Sequence, residues 1–118
     1  MIGAFNDTTL FDGGFQISSL TVSNGADVIN STDNGATNDY ELIVNGNTTI
    51  GGAGSSIIIY GGDLDGLDTN NLTINDGGSL VLNSTSNSGT AVVEVDGGAA
   101  NALLTINTGG SVTGTGRI

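Results

Sequence analysis

One short pattern recurs along the chain: alternating aliphatic residues, a turn of small residues, and a second aliphatic run. Its clearest copies are LTINDGGSLVL at residues 72–82 and LTINTGGSV at residues 104–112. Alternation with a period of two places every other side chain on one face of a strand, so each copy predicts a strand, a sharp corner and a second strand. Repetition of one such unit predicts that the copies stack on each other and form a scaffold.

Looser copies extend the pattern over most of the chain. They are LTVSNGADV from Leu20, LIVNGNTTI from Leu42, IIIYGGDL from Ile57 and VEVDGGAA from Val93. Together the copies supply turn glycines at Gly25, Gly46, Gly61, Gly77, Gly97 and Gly109. Glycine provides the positive φ that a tight corner needs, and a neighbouring Asn or Asp can bond its own backbone. We therefore expect about five to six stacked rungs.

The composition excludes a helical protein. Good helix formers are scarce, with two Glu, one Gln and no Lys, whereas Gly alone accounts for 21 of the 118 residues. Intrinsic propensity disfavours helix throughout such a chain. The prediction is one all-β domain over residues 1–118, in which residues 1–14 serve as an N-terminal cap or linking segment.

Two all-β architectures can use these units. Antiparallel hairpins would build a sandwich or a small barrel. A parallel β-helix, or β-solenoid, would instead place equivalent strands above one another at about 4.8 Å per rung, with columns of like aliphatic residues and ladders of turn Asn. The solenoid explains the near-identical units and also the variable loops NSTDNGATND (residues 30–39) and NSTSNSGT (residues 83–90). We predict the solenoid and keep the sandwich as the alternative.

The charge balance argues against two classes of partner. Twelve acidic residues face one base, Arg117, which gives a net charge of -11. This charge repels the phosphates of nucleic acids and anionic membrane surfaces. No apolar run approaches the ~18 residues that a membrane-spanning helix needs. We expect no nucleic-acid partner and no membrane insertion.

Three segments resemble the repeats of autotransporter passengers and related large surface adhesins. They are GGSVTGTGRI at residues 109–118, LTINDGGSLVLNS at residues 72–84 and, more loosely, LTVSNGADV at residues 20–28. In such repeats a strand–glycine–strand unit ends in Gly-Thr-Gly before a β-branched residue. The resemblance implies a right-handed parallel β-helix, secreted or exposed on a cell surface, that acts as a stalk, adhesin or matrix component.

The residue inventory argues against catalysis. Ser and Thr are abundant, but as nucleophiles they need a neighbouring base such as His or Lys, and the chain has neither. Carboxylate pairs can hydrolyse glycosides, yet any chain with twelve acids offers many arbitrary pairs. We expect a non-enzymatic protein with no catalytic residues and no required cofactor.

One acidic cluster is a candidate metal site. The segment GGDLDGLD at residues 61–68 places Asp63, Asp65 and Asp68 around Gly66, and alternating carboxylates beside a glycine turn can supply oxygen ligands for Ca2+. The spacing matches neither an EF-hand loop nor a tandem nonapeptide repeat. A solvated acidic corner is the simpler interpretation of the same residues.

These features predict an extracellular structural protein that assembles with copies of itself. An end rung of a solenoid has unpaired backbone groups and can accept another strand. We expect the chain to be a building unit of a surface filament or adhesin stalk that stacks end to end through such edges. A module that presents its corner loops to a glycan or a surface protein is the alternative.

Overall fold

A computed structural model describes residues 15–30, 41–60, 66–84, 90–96 and 102–118. These residues form strands, turns and bends, and none of them is helical. Accordingly, these ranges contain no helix with the length and hydrophobicity to cross a membrane. The prediction of an all-β chain is confirmed for this part of the protein.

The strands form two sheets in which every pairing is parallel. The first sheet contains β1, β2, β4, β6, β8 and β9, and the second contains β3, β5, β7 and β10. Parallel pairing does not fit the antiparallel sandwich that the sequence left as an alternative. The strands are β1 Phe15–Ile17, β2 Leu20–Val22, β3 Asp27–Asn30, β4 Leu42–Ile50, β5 Ser55–Tyr60, β6 Leu67–Ile74, β7 Gly78–Asn83, β8 Val93–Val95, β9 Leu103–Ile106 and β10 Ser111–Thr115.

The strand pairs arrange the described residues in four successive layers. Layer 1 holds β1 to β3, layer 2 holds β4 and β5, layer 3 holds β6 and β7, and layer 4 holds β8 to β10. In each layer the chain runs along the first sheet, turns a corner and continues along the second sheet. Each strand therefore pairs with its equivalents in the neighbouring layers, as copies of one repeated unit should.

The pairing registers place equivalent aliphatic residues in columns. Leu20 is in register with Thr48, Thr48 with Leu72, and Leu72 with Leu104. Leu20, Leu72 and Leu104 thus share one of the columns of like aliphatic residues that the sequence predicts, with Thr48 inserted in layer 2. Two parallel columns share this order: Val22, Ile50, Ile74 and Ile106 in the first sheet, and Val28, Ile57, Leu80 and Val112 in the second.

Side chains from both sheets pack into one hydrophobic core. Complete burial of a Leu or Ile side chain stabilises a fold by about 1.5–3 kcal/mol, so these columns supply the main favourable contribution. The buried apolar residues are Leu20, Val22, Val28, Leu42, Val44, Ile50, Ile57, Ile59, Leu67, Leu72, Ile74, Leu80, Leu82, Ala91 and Val93.

Two buried threonines interrupt the aliphatic columns. Thr48 and Thr69 are fully buried, and their Oγ1 atoms lie 2.8 Å apart. Thr69 Oγ1 also lies 3.2 Å from the carbonyl oxygen of Gly46 and 3.1 Å from that of Asn71. The two hydroxyls thereby satisfy each other and the backbone at the point where the β4–β6 register shifts.

Three of the predicted glycine corners are confirmed. Gly25, Gly77 and Gly109 have φ values of 74°, 72° and 82°, a region that L side chains seldom adopt. Each corner is closed by a backbone hydrogen bond across four residues, donated by Ala26 to Ser23, by Gly78 to Asn75 and by Gly110 to Asn107. Layers 3 and 4 therefore turn in the same way, whereas in layer 1 Asn24 also has a positive φ, of 59°.

The predicted corner at Gly46 is wrong, because β4 continues through this residue. A Cβ at Gly46 would overlap the carbonyl oxygen of Ser18, so glycine is required here by close backbone approach rather than by a turn. The corner of layer 2 lies instead at residues 51–54, where Gly52 and Gly54 have positive φ. The corners predicted at Gly61 and Gly97 lie outside the described residues.

Candidate functional site

The predicted Ca2+ ligands fall largely outside the described residues. Asp63 and Asp65 lie there, whereas Asp68 is half-buried on β6, in register with Ile43 and Glu94 of the adjacent strands. The described ranges contain no group of three or more His, Cys, Asp or Glu side chains arranged to hold a metal ion. The Ca2+ site therefore stays a prediction from the sequence.

The corner loops and the N-terminal segment also lie outside the described residues. They comprise residues 1–14, predicted as a cap or linking segment, and most of the two variable loops, residues 31–39 and 85–89. Their predicted roles in capping and in ligand binding stay predictions.

Layer 4 differs from the other layers because several of its apolar side chains are exposed. Leu104 is 36% exposed and Ile106 is 49% exposed, although both continue columns that are fully buried in layer 3. Leu103, beside them on β9, is 60% exposed. The large exposed apolar side chains of the described residues are these three and Ile118.

This exposure depends on which strands of layer 4 are covered. Val92 forms a parallel bridge with Arg117, and the Val93 N–H donates to the Arg117 carbonyl oxygen at 3.0 Å. The last residues thus lie along β8, and Val93 is 1% exposed. Within the described residues no strand pairs with the outer side of β9 or β10. We call the outer sides of these two strands the open edge.

The opposite end of the stack is different. Leu20, Val22 and Val28 of layer 1 are at most 4% exposed, although no described strand pairs beyond β2 or β3. The sequence predicts open edges at both ends, but the exposed apolar side chains lie at the C-terminal end alone among the described residues. The N-terminal layer offers a partner little apolar surface.

Side-chain amides add a polar ladder beside the aliphatic columns. Asn107 Nδ2 donates to Asn75 Oδ1 at 2.8 Å, and Asn71 Nδ2 donates to Asn47 Oδ1 at 3.0 Å. Bonds between identical side chains in successive layers hold the register of the strands, as the predicted ladders of Asn would. The pair of Asn75 and Asn107 lies at the corners of layers 3 and 4, so this ladder ends beside the open edge.

The open edge is suited to strand addition. Its backbone N–H and C=O groups can bond a further strand, and its exposed Leu and Ile side chains can pack on a further aliphatic layer. Natural edge strands are commonly protected by Lys or Pro, and this chain contains neither. The arrangement favours association with a further strand.

Sequence reasoning identified the strands of the open edge but not their exposure. The alternation in LTINTGGSV predicts that Leu104 and Ile106 are buried. Covered and uncovered strands of a stack share the same alternation, so no local signal distinguishes them. The exposure becomes visible only in the pairing of the strands.

Comparisons of the chain with protein-family models, with curated proteins and with solved structures found no match. The resemblance to autotransporter passengers and surface adhesins therefore rests on the repeat motifs alone and stays a prediction.

Proposed function

We propose that the chain is a right-handed β-solenoid that serves as a non-enzymatic structural unit of an extracellular filament or adhesin stalk. Each layer is then one rung of the solenoid. The six repeat units of the sequence fall into four layers, because the units from Leu42 and Ile57 share layer 2 and those from Val93 and Leu104 share layer 4. The parallel registers and the in-line aliphatic columns support this proposal.

A stack of this kind is suited to a mechanical task. Adjacent layers are joined by backbone hydrogen bonds along both sheets and by the continuous core, so that load applied along the stack is spread over many bonds. Stalks and filaments need to be long and stiff, and stacking many copies of one simple repeat provides both properties. A cell-surface or extracellular location is part of the proposal and rests on the resemblance to surface adhesins.

The observation that carries the proposed assembly is the open edge. Exposed Leu103, Leu104 and Ile106 on β9 give a further strand both hydrogen-bonding groups and apolar surface. Copies of the same chain contain matching layers and are the expected partner. We therefore propose that the unit associates with itself end to end.

The absence of catalytic activity is also part of the proposal. The sequence contains no His, Lys or Cys, so a Ser or Thr nucleophile would lack the usual side-chain bases. Among the described residues, the buried hydroxyls of Thr48 and Thr69 are engaged with each other. These features support a structural role.

Electron microscopy of the purified chain, with and without millimolar Ca2+, tests the proposal. We expect particles that join end to end in either condition. A particle that stays monomeric at high concentration and is retained on a glycan array would instead support the binding module that presents its corner loops. Association that requires Ca2+ would add the predicted Asp63, Asp65 and Asp68 site to the mechanism.

A further inference from the structure

Two carboxylates face each other across adjacent layers on the outer side of the first sheet. Asp68 of β6 is in register with Glu94 of β8. The strand neighbours Leu67, Thr69 and Val93 are buried, so both carboxylates point away from the core. We propose that this pair makes the stack acid-responsive, so that layers 3 and 4 hold together more tightly as the pH falls from neutral to mildly acidic.

The register determines how close the two charges lie. Paired strands are about 4.8 Å apart, and side chains at matching positions of adjacent strands lie next to each other. On its other side, Asp68 is in register with the uncharged Ile43 of β4. Like charges at matching positions destabilise the pairing of their strands while both are ionised. In the unfolded chain, positions 68 and 94 are far apart in sequence, so the two carboxylates repel each other much less.

The other charged groups on this part of the sheet increase the repulsion more than they relieve it. Alternation with buried neighbours places Glu41, just before β4, and Asp96, just after β8, on the same outer face. Arg117 is the only base of the chain, and its bridge to Val92 places it near Glu94. Among the described residues, one guanidinium therefore accompanies four carboxylates on this face.

Protonation of either carboxyl group removes the repulsion within the pair. The folded chain therefore takes up a proton at this pair more readily than the unfolded chain does, and unfolding releases that proton. Stability consequently rises as the pH falls towards the range of about 4 to 5, in which Asp and Glu side chains titrate.

A second contact acts in the opposite direction at lower pH. Ser56 Oγ donates to Asp27 Oδ1 at 2.6 Å, and such a bond is strongest when the carboxylate is ionised. Protonation of Asp27 weakens this contact. The stabilising response is therefore expected between about pH 7 and pH 4.5, and matched variants are needed to isolate it.

Thermal melts followed by circular dichroism in Ca2+-free buffer, at about pH 7 and pH 4.5, test the role of the pair. Protein concentrations are kept low enough for every sample to be monomeric. At neutral pH, Glu94→Gln and Asp68→Asn should each raise the melting temperature by a few degrees, up to about 5 °C. The double variant should gain less than the sum of the two single gains, because removing either charge already removes the repulsion within the pair. At the acidic pH each gain should fall to about half or less, since the wild type is then partly protonated.

Asp76→Asn is the matched control. It removes one charge at an exposed corner, where the equivalent residues of the neighbouring layers, Gly52 and Thr108, are uncharged. It should change the melting temperature little, and equally at both pH values. Each single variant tests the pair by itself if the other does not fold.

Three results would overturn the acid-responsive pair. The first is the absence of any gain at neutral pH, and the second is a gain that is additive in the double variant or undiminished at acidic pH. The third is an equal gain for Asp76→Asn, because the cause would then be the net charge of the chain rather than the register of Asp68 and Glu94.

Discussion

Substituting two leucines of the same column, one in layer 3 and one in layer 4, measures how much the stability of a layer depends on its neighbours. Leu72 and Leu104 occupy the same column in adjacent layers. Leu72 is 0% exposed with a layer on each side, whereas Leu104 is 36% exposed with a layer on one side. The substitutions Leu72→Ala and Leu104→Ala therefore remove the same atoms from two environments.

The expected losses depend on burial. Each substitution deletes three carbon groups, which at about 0.8 kcal/mol per group corresponds to roughly 2.4 kcal/mol of transfer free energy for a fully buried side chain. Leu72→Ala also leaves a cavity that is enclosed by two layers, which raises the loss to about 3–5 kcal/mol. Leu104 has about two-thirds of its surface buried and leaves no enclosed cavity, so its loss should be roughly 1.5 kcal/mol.

Urea denaturation of the two variants and the wild type provides the measurement, with the free energy of unfolding extrapolated to water. Protein concentrations must be low enough to keep every sample monomeric, since pairing through layer 4 would stabilise the wild type. Equal losses for the two variants would refute the assignment of layer 4 as an uncovered end. A larger loss for Leu104→Ala would have the same consequence.

Three further predictions compare pairs of variants, or the wild type with one variant in the presence of Ca2+. Gly77→Ala should lower the free energy of unfolding by clearly more than Gly25→Ala. Both glycines have a positive φ, but only the Cβ added at Gly77 would lie within 3.0 Å of backbone atoms, those of residues 52 and 53. Similar losses of stability in thermal melts would contradict this prediction. Thr69→Val should lower the free energy of unfolding by about 1–3 kcal/mol, and by more than Thr48→Val does, because the Thr69 hydroxyl also bonds backbone carbonyls. A larger loss for Thr48→Val in urea denaturation would contradict this prediction. If the predicted Ca2+ site forms, millimolar Ca2+ should raise the melting temperature of the wild type more than that of the Asp68→Asn variant. Equal increases in melting temperature would exclude Asp68 as a ligand.

The sequence predicted the local geometry of the clear repeats well. In LTINDGGSLVL and LTINTGGSV, alternation and the paired glycines specify strand, corner and strand, and Gly77 and Gly109 adopt the expected positive φ. The prediction succeeded because these signals are local: the backbone conformation of a corner and the facing of a strand depend on adjacent residues.

The assignment of units to layers was less accurate. The pattern in LIVNGNTTI predicts a strand from Leu42 with a corner at Gly46, as LTVSNGADV predicts a strand from Leu20 with a corner at Gly25. In the structure Leu42 is in register with Phe15, whereas Thr48 is in register with Leu20. Gly46 is selected by the close approach of Ser18, a contact between distant parts of the chain that no local pattern encodes.

The candidate site depended still more on tertiary context. The sequence contains all the residues of the open edge, but the burial of Leu104 depends on whether another layer packs against its outer side. Val93, beside the bridge between Val92 and Arg117, is 1% exposed, whereas Leu104, with no described strand beyond it, is 36% exposed.

The layered pairing also implies an uneven distribution of backbone protection. Among the described strands, β4 to β7 have a paired neighbour on both sides, whereas β9 and β10 have one and carry exposed apolar side chains. Strands β2 and β3 also have one neighbour, but their apolar side chains are buried. Opening of the monomer should therefore begin at β9 and β10 and proceed inward one layer at a time, since each layer packs on the next. Amide hydrogens would then exchange with solvent in a graded order, fastest in layer 4 and slowest in the middle layers, and occupation of the open edge would flatten that gradient.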